Sequence, residues 1–155
     1  MSQNLYYDCR FNASRSNLAL RNRARAAELL GISESSLSNY ETGKTKCVPA
    51  EMVEQMATLY NAPELRNIYC MSSCPIGSHM NLAANETSLE KVAVHLISCT
   101  EPAVLSESIG KFIHIAADGQ IDDAEKKQLK EISDIFNKLT FAISEFDILA
   151  ERQGL

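Results

Sequence analysis

Several features that mark membrane proteins and secreted proteins are missing from this sequence of 155 residues. No apolar run approaches the roughly 20 residues that a helix needs to cross a bilayer. The polar N-terminus lacks the apolar segment of a signal peptide. We therefore expect a cytoplasmic protein. Because thiols stay reduced in that compartment, the five cysteines are predicted to be free thiols or metal ligands rather than disulfides.

Enzyme signatures are missing as well. The chain has no glycine-rich phosphate loop, and no paired carboxylates or nucleophile–base pair stand out. Residues 118–125 look at first like a calcium loop, but their glycine is second rather than sixth and the segment is too short. Gly119 is better explained as the end of one helix, and Asp122 with Glu125 as the capping box of the next. We therefore predict that the protein is not an enzyme.

The chain is not uniformly basic, since its formal net charge is −5. Its charges are unevenly distributed. Between Arg10 and Lys46 there are seven basic and three acidic residues, whereas from Cys70 onward there are seven basic and thirteen acidic residues. A basic N-terminal part favours contact with phosphates there, with ordinary solvated surface charge as the alternative.

The clearest local pattern is a pair of short helices joined by a tight turn. Asn22 is predicted to cap the first helix, and Gly31 to end it, because glycine adopts a positive φ at little cost. Ser33 is then placed to cap the second helix. That helix is almost wholly polar, with only Leu37 and Tyr40 on a narrow apolar face. Such a helix is better suited to a groove of hydrogen-bonding groups than to a protein core.

These residues resemble the helix-turn-helix of the bacterial XRE family, which includes Cro and lambda repressor. Three pieces match in order, namely AAELLGIS at the turn, YETGK at the exit, and the amphipathic helix PAEMVEQMATLY. The resemblance covers roughly residues 10–69. It implies an all-α fold, with a five-helix DNA-binding domain at residues 1–69 and a recognition helix at residues 33–42 that lies in the major groove.

The resemblance also implies which side chains meet DNA. Asn39 is the best candidate for a specific base contact, because its amide can bond adenine N6 and N7 together. Glu34 either accepts from cytosine N4 or is a solvated acid that favours the helix N-terminus. The base contacts implied are Glu34, Ser35, Ser36 and Asn39. The phosphate contacts implied are Asn22, Arg23, Arg25, Ser33, Lys44 and Lys46.

In this family an arginine of the first helix often pairs with the glutamate of the exit motif, which is Glu41 here. By spacing, the matching position in this chain is Ser16. Arg15, one position away, is therefore the candidate partner for Glu41.

The cysteines permit three interpretations. They are small buried side chains, a redox switch, or ligands of zinc or an iron–sulfur cluster. We predict no bound metal, and the alternative is a site built from Cys9, Cys47, Cys70 and Cys74. The segment Cys-x-x-x-Cys-Pro-Ile-Gly also resembles the tail of a subgroup of XRE-like regulators, which assigns it no chemistry.

A second unit is predicted at residues 86–155, after a cysteine-containing linker at residues 70–85. Residues 85–88, Asn-Glu-Thr-Ser, supply helix caps, and the last helix covers residues 123–151. About 28 residues would span roughly 42 Å, which is longer than a small domain needs. Its apolar stripe therefore packs within a helical bundle or against a second chain. The stripe consists of Leu129, Ile132, Phe136, Leu139, Ile143, Phe146 and Ala150.

Two functions from different classes fit these patterns. The first is a sequence-specific transcriptional regulator, a repressor, that binds double-stranded DNA as a homodimer through its C-terminal helices. The second is an antitoxin-like or adaptor protein whose C-terminal helical region holds a protein partner. A homodimer that binds an operator tightly would favour the first, and a co-purifying protein would favour the second.

Overall fold

The computed structural model describes residues 4–84, 88–99, 101–117 and 119–155, and all regular elements in these ranges are helical. Short 3-10 turns occupy Leu18–Arg21 and Gly77–His79. The predicted all-α fold with a long last helix is confirmed. The eight α-helices of the described residues are α1 (Leu5–Ala13), α2 (Arg23–Leu29), α3 (Glu34–Glu41), α4 (Ala50–Tyr60), α5 (Glu64–Ser73), α6 (Leu89–Cys99), α7 (Pro102–Ala116) and α8 (Asp123–Arg152).

The chain divides into two compact units. The first contains residues 1–80 together with 154–155, and the second contains residues 81–153. The division falls inside the segment that we expected to be a linker. Of the predicted caps at residues 85–88, the first three lie outside the described residues. At Ser88, the hydroxyl accepts a hydrogen bond from the Lys91 amide at 3.4 Å.

The core of the first unit is apolar and draws on all five of its helices. Leu20, Leu37, Met56 and Leu65 are completely buried. Burying an aliphatic side chain of this size contributes about 1.5–3 kcal/mol. The apolar face of the amphipathic helix predicted from PAEMVEQMATLY therefore serves as core. The buried apolar residues of this unit are Cys9, Leu20, Ala26, Ala27, Leu30, Leu37, Val48, Val53, Met56, Ala57, Tyr60, Ala62 and Leu65.

The end of the first unit is closed by the Cys-Pro-Ile-Gly segment. Helix α5 continues to Ser73, past residue 69 at which we expected the DNA-binding domain to end. Cys70 therefore lies within the helix and Cys74 caps it. Gly77 is buried against this helix, and a Cβ atom there would lie 2.4 Å from the carbonyl oxygen of Cys70. Only glycine permits this approach, because the obstacle is backbone. The segment therefore has a packing role.

Helix α8 begins at the predicted capping box. The Asp122 carboxylate accepts from the Glu125 amide at 2.7 Å, and the Glu125 carboxylate accepts from the Asp122 amide at 2.9 Å. Gly119 has φ +70°, in the left-handed region that favours glycine. Asp118 lies outside the described residues. The capping box inferred for this segment is confirmed, whereas the preceding helix ends at Ala116 with Ala117 as its C-cap.

The second unit leaves much of its apolar surface uncovered. Among the described residues of this unit, the buried large apolar side chains are Val92, Ile115, Ile132 and Ile148, and Ala83 and Ala142 are buried as well. No helix of the described residues has the length and apolarity needed to cross a membrane. The exposed large apolar side chains of the second unit are Leu89, Val94, Ile97, Val104, Ile109, Phe112, Ile113, Ile121, Phe136, Ile143 and Phe146.

Candidate nucleic-acid interface

The turn between α2 and α3 is fixed by backbone hydrogen bonds. Gly31 has φ +67°, and its amide donates to the Glu28 carbonyl at 3.0 Å. The Ile32 amide donates to the Ala27 carbonyl, also at 3.0 Å. These two bonds are a Schellman motif, which satisfies the last carbonyls of α2 and redirects the chain. At the other end of α2, the Asn22 side chain accepts from the Arg25 amide at 3.1 Å, as predicted.

Helix α3 is capped at both ends. The Ser33 hydroxyl accepts from the Ser36 amide at 3.1 Å, which confirms it as the N-cap. It also lies 2.9 Å from the Ser35 hydroxyl and 2.8 Å from the Ser36 hydroxyl. At the exit, Gly43 has φ +70°, and the amide after it donates to the Asn39 carbonyl at 3.0 Å. The orientation of the short helix is therefore set by local bonds at each end.

One face of α3 is buried and the other is exposed and polar. Leu37 is completely buried, and Glu41 is buried as well. Of the residues expected to contact bases, Glu34, Ser35 and Asn39 are exposed and Ser36 is half-buried. The helix thus presents a carboxylate, hydroxyls and an amide to solvent, and these are the groups that distinguish base edges.

The residues expected to contact phosphates differ in whether they already form ion pairs or hydrogen bonds within the protein. Lys44 and Lys46 are exposed and, among the residues that the structure describes, form no ion pair. Arg25 is exposed, with its Nη1 2.5 Å from Oε2 of the exposed Glu28. Such a surface pair contributes at most about 1 kcal/mol, so phosphate can replace the carboxylate. Asn22 and Ser33 are exposed, and each already accepts a helix-capping bond.

The glutamate of the exit motif is bound by two arginines, neither of which is the one predicted. Arg10 Nε lies 2.5 Å from Glu41 Oε1, and Arg10 Nη2 lies 3.1 Å from Oε2. Arg23 Nε lies 2.8 Å from the same Oε2. Arg15 is exposed, and Ser16 bonds only to the Ala13 carbonyl in the part of the chain that is described. The prediction that Arg15 would pair with Glu41 is wrong.

The pair of Arg10 and Glu41 is almost completely removed from solvent. Their side chains are 4% and 1% exposed. Burial lowers the pKa of Arg10, but the hydrogen bond to Glu41 and its charge outweigh burial and raise that pKa above its ordinary value. Arg10 Nη1 also donates to the Leu20 carbonyl at 2.7 Å. Burial and then the charge of Glu41 raise the pKa of the neighbouring Tyr60, whose hydroxyl stays neutral.

The position of Arg10 in the sequence indicates that it needs an acidic partner. Arg10 lies one helical turn from Tyr6 and from Ala13, both of which pack against the core. A charged residue on the buried face of a helix requires an opposite charge. The family spacing instead selected Ser16, six residues further along the chain. Ser16 lies after the end of α1 at Ala13 and before the 3-10 turn at Leu18–Arg21, so it is not on α1.

The four cysteines considered as metal ligands do not form a site in the described part of the chain. Cys9 is buried, Cys47 is exposed, and Cys70 and Cys74 are half-buried. Within the described ranges, no group of three or more His, Cys, Asp or Glu side chains has the arrangement needed to hold a metal ion. The Cys47 thiol instead lies 3.7 Å from the hydroxyl of Tyr69. The four thiols are therefore not arranged as the ligands of one metal site in the described part of the chain.

Comparison with known proteins identifies the N-terminal segment. Residues 15–67 match the family model described as a helix-turn-helix domain. The matched segment begins after α1, contains α2, α3 and α4, and ends within α5. No curated protein and no solved structure matches the chain. The chain therefore contains a helix-turn-helix domain near its N-terminus, and this domain indicates DNA binding.

Proposed function

We propose that the protein is a transcriptional regulator of the XRE type, a repressor, that binds its operator as a homodimer. In this proposal α3 lies in the major groove and reads the sequence. The observation that carries it is the exposed polar face of α3, on a helix whose opposite face is anchored by Leu37 and Glu41. A B-DNA major groove admits one α-helix, and its base edges offer donors and acceptors to hydroxyl, amide and carboxylate groups.

The cations that flank α3 support the same orientation. Lys44 and Lys46 follow the helix at its exit, and Arg25 lies on the preceding helix. Positive side chains on either side of a recognition helix contact the two phosphate strands that border the groove. Arg23 is a different case, because its Nε is bound to Glu41 and its side chain is only 36% exposed. Any phosphate contact of Arg23 uses the remaining guanidinium N–H groups.

Replacing Lys44 with alanine is expected to weaken binding to every DNA sequence alike. Each lysine that contacts a phosphate releases a counterion from the DNA, so its loss makes the negative slope of log K against log salt less steep by about one unit. The same result is expected for Lys46→Ala. The measurement is fluorescence anisotropy with an operator and an unrelated duplex over a range of salt concentrations.

Lys91 provides the matched control for these lysines, since it is exposed on α6 in the second unit. Lys91→Ala should leave the salt slope unchanged. If Lys44→Ala and Lys46→Ala also leave it unchanged, these two lysines do not contact phosphates and the proposed docking of α3 loses that support.

Replacing Asn39 with alanine is expected to cost about 1–3 kcal/mol on the preferred operator and to relax the preference at one base pair. Its backbone carbonyl accepts from the Lys44 and Thr45 amides. Its side-chain amide forms no hydrogen bond with any described residue, so it is available to a base. Binding-site selection with the wild-type and variant proteins measures the change position by position. Gln128→Ala, which truncates an exposed amide on α8, is the control and should leave the profile unaltered. An identical profile for Asn39→Ala would reject this placement of α3.

The homodimer is supported by the apolar surface of the second unit. Phe136, Ile143 and Phe146 are 38%, 46% and 47% exposed, and they recur on α8 at intervals of seven and three residues. This is the spacing of a seam between two helices. Two chains joined here would hold two copies of α3 for the two half-sites of one operator. The same surface also fits a different protein, as the adaptor alternative requires, and the mass of the purified complex distinguishes the two.

A further inference from the structure

The second unit contains a cleft between α6 and α8 that DNA binding does not use. Its cavity volume is about 380 Å³, within the range of roughly 300–1,000 Å³ that small-molecule sites occupy. His95 and Ser98 line it from α6, and Lys138 and Phe141 from α8. Asn81 also lines the cleft. Its side-chain amide donates to the backbone carbonyl of Asn137 on α8, which ties the segment before α6 to α8.

The charge of the cleft is opposite to the charge of the unit around it. Residues 81–153 carry thirteen acidic and seven basic side chains. Within the described residues, no Asp or Glu lines the cleft, whereas Lys138 does. Lys138 forms no ion pair with any described residue. Its ammonium is therefore available to an anion in the cleft.

A buried carboxylate is paired with one of the residues that line the cleft. Glu145 is buried, with a side chain that is 8% exposed, and its Oε2 lies 2.5 Å from Nδ1 of His95. The imidazole lines the cleft and Glu145 does not. With Nδ1 engaged by Glu145, the other ring nitrogen of His95 is left for a ligand.

We propose that this cleft binds a small organic carboxylate with an apolar body. Lys138, on the α8 wall, binds the carboxylate. The ring of Phe141 and the buried Ala142 provide the apolar surface against which the body of the ligand packs. The cavity has room for a ligand of one ring or one short branched chain. Binding of this ligand does not depend on the DNA-binding proposal.

Phenylacetate and its neutral analogue phenylacetamide test the proposal on the full chain. Saturation-transfer NMR and the shift of the thermal midpoint by circular dichroism both measure binding. Phenylacetate should bind and raise the midpoint, because a ligand that binds only the folded state stabilises it. Phenylacetamide should bind at least about tenfold more weakly, since it lacks the charge that Lys138 recognises.

The variant Lys138→Met should lose roughly tenfold in affinity for phenylacetate and abolish the preference over the amide. Lys138 is exposed, so the variant should keep the helical content of the wild type. Lys130→Met removes the same charge from an exposed position on α8 outside the cleft and should change neither result. The proposal is overturned if phenylacetate gives no signal at millimolar concentration, or if Lys138→Met and Lys130→Met have the same effect.

Discussion

Replacing Glu41 with glutamine is expected to destabilise the first unit by roughly 3–5 kcal/mol, because it leaves the Arg10 guanidinium buried without a counter-charge. Glutamine keeps the volume of the side chain, so the loss is electrostatic rather than a cavity. Arg23 loses the same partner, but at 36% exposure its charge is partly solvated. The variant should therefore be largely unfolded at temperatures at which the wild type is stable.

The chain allows this loss to be measured in the first unit alone. It has no tryptophan, and all five of its tyrosines lie before residue 80, in the first unit. Tyrosine fluorescence during urea denaturation therefore follows that unit without signal from the second. Glu28→Gln removes a carboxylate that is 66% exposed in its pair with Arg25, and it should change stability by no more than about 0.5 kcal/mol. Equal midpoints for the two variants would contradict the structural role assigned to Glu41.

Replacing Ile143 and Phe146 together with aspartate is expected to convert a dimer into a folded monomer. Both side chains are almost half exposed, so the charges remain in solvent within one chain but would be desolvated between two. Operator affinity should fall by roughly 10²–10⁴-fold, because the two recognition helices are no longer tethered. Sedimentation equilibrium measures the mass, and anisotropy on the same samples measures the affinity.

Lys127→Gln with Lys130→Gln is the matched control, since it shifts the net charge by the same two units at exposed positions outside the apolar stripe. This control should remain dimeric and bind DNA. A wild-type protein that sediments as a monomer at micromolar concentration would end the homodimer proposal. A double variant that unfolds would show that these side chains pack within one chain. A mass that corresponds to one chain plus a different protein would favour the adaptor alternative.

The features that were predicted correctly depend on neighbours close in sequence. The caps at Asn22, Ser33 and Asp122 and the helix end at Gly31 each require only the residues within one turn. Their hydrogen bonds close rings of a few residues, so the residue type at one position decides the geometry.

The features that were missed depend on distant parts of the chain. Arg10 and Glu41 are 31 residues apart, and their pairing follows from how α1 packs against α3. The apolar stripe of α8 was predicted as one continuous surface. In the C-terminal half of α8, however, the buried positions are Ala142, Ser144, Glu145 and Ile148, while Ile143 and Phe146 stay exposed. Helical periodicity identifies apolar positions but not which of them another helix of the same chain covers.

The ion pair between Arg10 and Glu41 limits how far the DNA-binding unit can be shortened at its N-terminus. The segment that matches the helix-turn-helix family begins at residue 15 and ends at residue 67. A fragment with those ends would keep Glu41 buried but lose Arg10, and it would also lose the contact of Gly77 with Cys70. We therefore expect a self-sufficient fragment to extend at both ends, from the α1 cap at Asn4 through the turn that follows Gly77.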